Sequence, residues 1–159
     1  MKHLYIIATL FLQFLTSETI SQTEQNKVFV QSQGLLKIPI PKYIGVIDNT
    51  ASMPHPSEGM SFLTDSTYPI KSIFDGEVVG KELSVDNFYI IKIKFGDYLV
   101  SYSNISNPTV DIGAPIKSGQ ILGNINGEAT SKNFEFHISL KKFNKEQSLY
   151  KWFNWSHGA

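Results

Sequence analysis

Between residues 69 and 140, short runs of β-branched and aromatic residues alternate with turns that contain glycine. The clearest pair is residues 88–95 and 98–105, which flank the turn dipeptide Gly96-Asp97. Runs of this length and composition are typical of β-strands, and no long stretch of this half has the spacing of an amphipathic helix. The pattern predicts an all-β domain built on an antiparallel sheet.

Glycines and one Asp-Gly pair indicate where this sheet turns. Asp75-Gly76 lies between two apolar runs, residues 70–74 and 77–79, and this arrangement predicts a β-hairpin. Residues 110–127 place short apolar segments between repeated glycines, which tolerate the positive φ angles of tight turns. With a last strand at residues 133–140, the arrangement favours a barrel-sandwich fold.

The N-terminus has the composition of an export signal. A basic start at residues 1–3 precedes an apolar run at residues 4–15, and residues 16–25 are polar. This order is typical of a secretory signal peptide, and the apolar run is short for a membrane span. We predict a signal peptide at residues 1–21, with cleavage after Ser21 and no membrane span in the mature chain. An uncleaved anchor is the alternative.

Residues 22–65 are predicted to form an irregular N-terminal arm and a loop that pack on the core, which comprises residues 66–159. Pro39 and Pro41 cannot donate hydrogen bonds within a central sheet, so this segment belongs on an edge or across a sheet face. Residues 48–58 contain two prolines and several small polar residues, and we predict an exposed loop there.

The composition fits one small domain. The chain has 159 residues, of which 42% are hydrophobic, so it can bury one core. Its formal net charge is zero and its acidic and basic residues are interspersed, which argues against nucleic acid as a partner. The absence of cysteine argues against disulfides and against a lipid anchor on cysteine.

Five pieces of the chain have counterparts, in the same order, in one enzyme family. Residues 73–79 resemble the pattern A-x-x-D-G-x-V, residues 98–105 resemble Y-V-T-x-Y-A-H-L, and residues 110–123 resemble V-x-x-G-x-x-V-x-x-G-Q-x-I-G. Residues 133–138 fall on H-L-H-F-E-I, and residues 150–153 resemble a closing P-x-x-W-L segment. On these patterns the chain resembles the lysostaphin or LytM-type zinc metalloendopeptidases, which cut peptide cross-links in bacterial peptidoglycan. The resemblance implies the duplicated hybrid motif of that family as the core fold.

The same resemblance implies that the zinc ligands of the family are missing. The family binds zinc through the His and Asp of H-x-G-x-D and the second His of H-x-H, and the matching positions here are Ser57, Ser61 and Glu135. The two other active-site histidines of the family correspond to Asn104 and Asn133. Zinc prefers thiolate, imidazole and carboxylate ligands, and a catalytic site needs three of them. We therefore predict no zinc cofactor and no catalytic residue.

One alternative retains a metal. By strand alternation Asn133, Glu135 and His137 share a face, so a shifted zinc site made of His55, Glu135 and His137 stays open. Its competitor is that His137 forms an ordinary hydrogen bond at the position of the family's glutamate and that His55 lies in a loop.

The leading prediction is an exported domain of a bacterial cell envelope, periplasmic or extracellular, that is catalytically inactive. It is predicted to bind a peptidoglycan stem peptide or a cell-envelope protein through amide and hydroxyl groups. The predicted groove residues are Tyr102, Asn104, Asn133, Glu135 and His137. Two alternatives stay open: an active zinc endopeptidase with the shifted ligands, and an adaptor or assembly module of the barrel-sandwich type without a functional groove.

Overall fold

The computed structural model describes residues 21–48, 59–127 and 133–157 of the chain. These residues form one α-helix, α1 (Gln22–Gln31), ten strands and a short 3-10 helix at Trp155–His157. Neither helix in these ranges is long and apolar enough to cross a membrane. The strands in chain order are β1 (Gly45–Asp48), β2 (Met60–Thr64), β3 (Pro69–Lys71), β4 (Gly76–Leu83), β5 (Tyr89–Phe95), β6 (Tyr98–Ser106), β7 (Pro115–Ile116), β8 (Ile121–Ile125), β9 (Phe134–Lys142) and β10 (Lys145–Gln147).

The strands form one open sheet. Its main path runs in the order β1-β2-β9-β6-β5-β4-β7, and β1 and β7 do not pair with each other, so the sheet does not close. Strand β10 pairs with β9, and β8 pairs with both β3 and β6. All pairings between these strands are antiparallel. The prediction of an all-β, antiparallel domain is confirmed.

The N-terminal arm is not irregular throughout, because it begins with helix α1. Ser21 is the N-cap residue, and its Oγ accepts a hydrogen bond from the backbone N–H of Glu24 at 3.3 Å. Ser-x-x-Glu is the capping-box pattern, so the start of this helix is visible in the sequence. Phe29 is buried on the inner side of the helix, and its ring packs against the rings of Phe74, Phe95, Tyr98 and Trp152.

The rest of the arm lies along the edges of the sheet. Leu36 forms a parallel bridge with Phe153, and the backbone N–H of Lys71 donates to the Pro39 carbonyl at 2.7 Å. Strand β1 then forms the edge of the sheet beside β2. The segment with alternating prolines therefore lies where prolines are tolerated. Apart from Asp48, the predicted loop at residues 48–58 lies outside the described residues.

The hairpin predicted at Asp75-Gly76 is wrong. Strand β3 pairs with β8, and β4 pairs with β5 and β7, so β3 and β4 are not neighbours. Asp75 instead accepts hydrogen bonds from the Lys117 ammonium and the Ser118 backbone N–H, both at 2.8 Å. A Cβ at Gly76 would lie 2.7 Å from the Lys94 carbonyl oxygen, so glycine is needed there for a close approach of two strands.

The Gly96-Asp97 turn does form a hairpin, between β5 and β6. Phe95 and Tyr98 are paired across this two-residue connection, and Gly96 has a φ of +57°. Primed hairpin turns require a positive φ at their first central position, which glycine adopts without strain.

The two faces of the sheet differ in character. On β9, Phe134, Phe136 and Ile138 are buried in the core, whereas Glu135 is exposed and His137 is half-buried on the other face. Such alternation is expected of an antiparallel strand with one fully covered face. The accessible polar side chains of the central strands therefore lie on one face of the sheet, which can carry a binding site.

Candidate functional site

Several positions that the resemblance assigns to an active site meet on the polar face of β2, β9 and β6. Ser61 on β2 and Ser103 on β6 both pair in register with His137 on β9, and Glu135 points to the same face of β9. We call Ser61, Ser103, Glu135 and His137 the polar strip. Ser103 is not among the residues predicted from the sequence, because only the register between β6 and β9 identifies it.

Ser61 and His137 form the centre of the polar strip. The Ser61 Oγ lies 3.1 Å from the His137 Nδ1, and the Ser61 side chain is nearly inaccessible because the residue is only 3% exposed. A neutral imidazole has one donor and one acceptor nitrogen, so Nδ1 can take either role toward the hydroxyl. Ser61, which the resemblance places at the position of a metal-binding aspartate, thus makes a hydrogen bond within the protein.

Asn104 lies at a bulge in β6. The register between β5 and β6 shifts there, so that Ser103 and Asn104 together face one residue of β5. Asn104 has a φ of +64°, and its Nδ2 donates a hydrogen bond across to the backbone carbonyl of Glu135. Bulges re-aim side chains, and asparagine tolerates this left-handed conformation better than most residues. Asn104 therefore ties β6 to the start of β9.

Replacing Asn104 by alanine is expected to lower the free energy of unfolding by about 2 kcal/mol, because alanine loses the amide hydrogen bond and disfavours a positive φ. Asn104→Gly loses the same hydrogen bond but adopts this backbone conformation freely, so about half that loss is expected. Urea denaturation of both variants measures the two losses. Equal losses would show that the backbone conformation at Asn104 carries no strain.

The structure places Tyr102 on the opposite face of the sheet, which corrects its predicted place in the groove. Tyr102 pairs with Ile138 and is fully buried in the core. Its hydroxyl oxygen accepts a hydrogen bond from the Ile73 backbone N–H at 3.0 Å. Strict alternation would put Tyr102 and Asn104 on one face, but the extra residue of the bulge separates them.

Stability at alkaline pH is expected to report on Tyr102. Burial raises the pKa of Tyr102 to about 12, and the ordinary value is about 10. Because the folded pKa is the higher one, the stabilisation is complete below pH ~10 and is lost as the pH rises through ~12. Denaturant titrations should show a fall of about 2 to 3 kcal/mol across this range, and Tyr102→Phe should remove that part. The same alkaline decline in both proteins would contradict the assignment.

The remaining predicted positions are less informative. Asn133 is exposed immediately before β9. Ser57 and His55 lie outside the described residues, so the shifted site of His55, Glu135 and His137 stays a prediction. Within the ranges that the structure describes, no three His, Asp or Glu side chains are grouped so that they could hold a metal ion.

The donor chemistry at the described ligand positions does not fit zinc. Ser61 offers a neutral hydroxyl that is hydrogen-bonded to His137, and Glu135 offers one exposed carboxylate. Catalytic zinc takes three protein ligands that are imidazole, carboxylate or thiolate. The polar strip instead offers hydrogen bonds: a carboxylate, an imidazole and a hydroxyl along one partly open sheet face.

A wide groove of about 1200 Å³ lies elsewhere, between α1, residues 35–41 and the connection from β3 to β4. Its volume is enough to hold a small ligand. It contains none of the residues of the polar strip. The groove and the polar strip are therefore separate surfaces.

Comparisons with known proteins identify the family and the fold. A family model described as Peptidase family M23 matches residues 55–149, which is more than half of the chain. No curated protein gives a significant match. The fold is similar to Csd3 of Helicobacter pylori, with a TM-score of 0.63 and 19% identity over 75% of this chain and 33% of that one.

Two further structures have a similar fold. One is a protein of Pseudomonas aeruginosa described as a peptidase M23, with a TM-score of 0.61 and 15% identity over 87% of this chain and 63% of that one. The other is the SpoIIQ–SpoIIIAH pore-forming complex, with a TM-score of 0.55 and 14% identity over 70% of this chain and 86% of that one. The chain spans only 33% of the Csd3 chain and 63% of the Pseudomonas chain. Identities this low show a shared fold and nothing finer.

Proposed function

Because the chain belongs to peptidase family M23, we propose that it is a cell-envelope member of that family that binds a peptide along the polar strip and does not hydrolyse it. The observation that carries this proposal is the 3.1 Å contact between the Ser61 Oγ and the His137 Nδ1. It joins two groups of the strip to each other at a position where the LytM-type enzymes have a metal-binding carboxylate. The strip is therefore internally hydrogen-bonded and not arranged around an open metal position.

The other chemical positions support the absence of hydrolysis. Amide hydrolysis needs an activated nucleophile and donors that stabilise the developing oxyanion. Ser61 is 3% exposed, so its hydroxyl is not presented to a substrate as a nucleophile, although a histidine lies beside it. Asn104 replaces a histidine that serves the transition state in the family, and its amide is directed to the Glu135 carbonyl. An amide has no proton to exchange near neutral pH.

The polar strip suits a peptide ligand. Glu135 is exposed on an ordered strand and can accept hydrogen bonds from amide N–H groups or pair with an ammonium group. Ser103 and His137 are half-buried beside it and can each donate or accept. A peptidoglycan stem peptide carries both amide and ammonium groups and is the ligand we assign to the strip.

A cell-envelope protein is the second candidate ligand. It is favoured by the similarity to SpoIIQ, which is found in a pore-forming complex with SpoIIIAH. In that case the same exposed carboxylate and imidazole would contact polar groups of a partner polypeptide.

Sedimentation with purified, insoluble peptidoglycan sacculi tests the proposal. The wild-type protein should sediment with the sacculi, and Glu135→Gln should bind about threefold to tenfold more weakly, because the amide lacks the charge that strengthens hydrogen bonds. Soluble stem peptide should compete for the wild-type protein. Intact sacculi after prolonged incubation, measured by the absence of released peptide, are expected in the same samples.

Glu77→Gln is the matched control, since Glu77 is an exposed strand carboxylate on β4, away from β2 and β9. It should bind sacculi as the wild type does. If Glu135→Gln bound sacculi as tightly as the wild type, the polar strip would not be the surface that binds peptidoglycan. Failure of the wild type to sediment would leave the envelope protein as the ligand, and released peptide would contradict the absence of hydrolysis.

A further inference from the structure

The hairpin between β9 and β10 has an exposed aromatic residue in a strained conformation. Its two-residue turn is Phe143-Asn144, with φ angles of +48° and +61°, between the paired residues Lys142 and Lys145. Turns of this kind require a positive φ at both central positions and favour Asn-Gly, so a bulky aromatic residue at the first position is unfavourable. Phe143 is 68% exposed, so it does not repay this strain by packing in the core. Strain retained at an exposed position points to a role in binding.

Three lysines that form no ion pair with a described residue lie near this turn. Lys94 and Lys145 are exposed, and the Lys142 ammonium lies over the rings of Tyr98 and Phe143, at 5.1 and 5.6 Å from their centroids. These three lysines form no ion pair in the part of the chain that the structure describes. Five lysines elsewhere do pair with a carboxylate: Lys27, Lys42, Lys81, Lys92 and Lys117.

Acidic residues also lie at this end of the sheet, and each has a neighbouring polar or charged side chain. Asp97 accepts hydrogen bonds from the side-chain amides of Gln22 and Asn26. Glu146 is half-buried and faces Lys141 across the β9–β10 pair, and Glu77 faces Lys94 across β4 and β5. Asp97 keeps its negative charge because its partners are neutral amides, so the positive charge nearest Phe143 is that of Lys142 and Lys145, which face each other across the β9–β10 pair.

The start of the described chain lies at the same end. Gln22 is bonded to Asp97, and Asp97 and Phe143 line one shallow depression of about 180 Å³. The apolar run at residues 4–15 ends seven residues before Gln22, a length of chain that spans at most about 25 Å. While the predicted export signal is held in a membrane, this end of the sheet is therefore kept close to the membrane surface.

We propose that this hairpin end, defined as Lys94, Lys142, Phe143 and Lys145, binds the surface of an anionic membrane. Phe143 would enter the headgroup region, and the lysines would contact lipid phosphates, which is the combination of apolar insertion and charge that holds peripheral proteins on bilayers. A protruding turn with one aromatic residue suits a soft lipid surface better than a protein, because a stable protein interface needs about 800 Å² from each partner. The proposal is independent of the polar strip, since Glu135 lies about 23 Å from Lys142 along β9.

Sedimentation with lipid vesicles tests the proposal. The wild-type protein should bind vesicles of phosphatidylglycerol mixed with phosphatidylethanolamine, and it should not bind vesicles of phosphatidylcholine alone. The double change Phe143→Asn with Asn144→Gly installs the preferred turn and removes the aromatic ring. It should bind roughly fivefold to tenfold more weakly, and its thermal unfolding midpoint should rise because the backbone strain is relieved. Loss of binding therefore cannot be attributed to unfolding.

Two further variants complete the test. Lys142→Gln with Lys145→Gln should weaken binding and flatten its dependence on salt. Val85→Asn is the matched control, because Val85 is fully exposed in the connection between β4 and β5, at the other end of β5. This substitution should leave binding to the vesicles unchanged. The proposal would be overturned if the wild-type protein did not bind anionic vesicles, or if the double variant Phe143→Asn with Asn144→Gly bound them as tightly as the wild type. Binding to an acidic polypeptide but not to vesicles would assign the surface to a protein partner instead.

Discussion

Replacing Phe29 by alanine is expected to lower the free energy of unfolding by about 3 to 5 kcal/mol, the usual loss when a buried aromatic ring is deleted. Phe29 is fully buried, and its ring centroid lies 4.2 Å from that of Trp152 and 4.4 Å from that of Phe95. The substitution opens a cavity that the surrounding rings, which lie on four different segments, cannot easily fill. Because Trp152 stacks on Phe29, tryptophan fluorescence during urea denaturation measures the loss directly.

Val28→Ala is the control on the same helix, because Val28 is 45% exposed. This substitution should lower the free energy of unfolding by less than about 0.5 kcal/mol, as surface substitutions usually do. A small loss for Phe29→Ala would mean that α1 does not pack on the core in solution. The expected large loss would make α1 an integral part of the domain, with Phe29 as its anchor.

Gly59→Ala is the second substitution for which a large loss is expected, about 3 to 5 kcal/mol. Gly59 has a φ of +102°, and an added Cβ would lie 2.4 Å from the backbone carbonyl oxygen of Ile138 and 2.8 Å from the Cβ of Ser139. Both neighbours belong to β9 and cannot move without disturbing the sheet. Denaturation by urea, followed by fluorescence, measures the loss of stability.

Gly34→Ala separates the cost of the positive φ from the cost of the steric clash. Gly34 has a φ of +75°, but nothing lies within 4 Å of an added Cβ, so only the backbone preference of about 1 kcal/mol should be lost. Similar losses at both glycines would show that the close approach of residue 59 to β9 is not rigid. Gly59 also lies at the position that the resemblance assigns to the glycine of the H-x-G-x-D pattern.

Much of the fold could be predicted from the sequence because its strands obey a local rule. On β5 and β9, buried and accessible residues alternate as a sheet with one covered face requires. The Gly96-Asp97 hairpin was also predictable, because its turn residues act locally. The pairing between distant segments could not be predicted from the sequence. Asp75-Gly76 has the local signal of a hairpin, yet β3 pairs with β8. Helix α1 was missed although Ser21 and Glu24 form its capping pattern.

The shared face of Glu135 and His137 was predictable from the sequence, but the contacts of the candidate site were not. Glu135 and His137 share a face, as alternation along β9 requires. The contact of Ser61 with His137 and the place of Ser103 depend on register across three strands, which a single sequence does not determine. Tyr102 was misplaced because one bulge residue reverses the alternation of β6, and composition alone does not reveal a bulge without glycine.

The zinc content of the purified protein distinguishes a peptide-binding strip from a metal site. The protein would be prepared without a chelator or a metal-affinity tag, dialysed against zinc and then against metal-free buffer, and measured by elemental mass spectrometry. We expect far less than one zinc per chain, because a hydrogen-bonded serine and one carboxylate at the described positions do not make a zinc site. About one zinc per chain, lost on His137→Ala, would contradict the account and assign the metal to His55, Glu135 and His137.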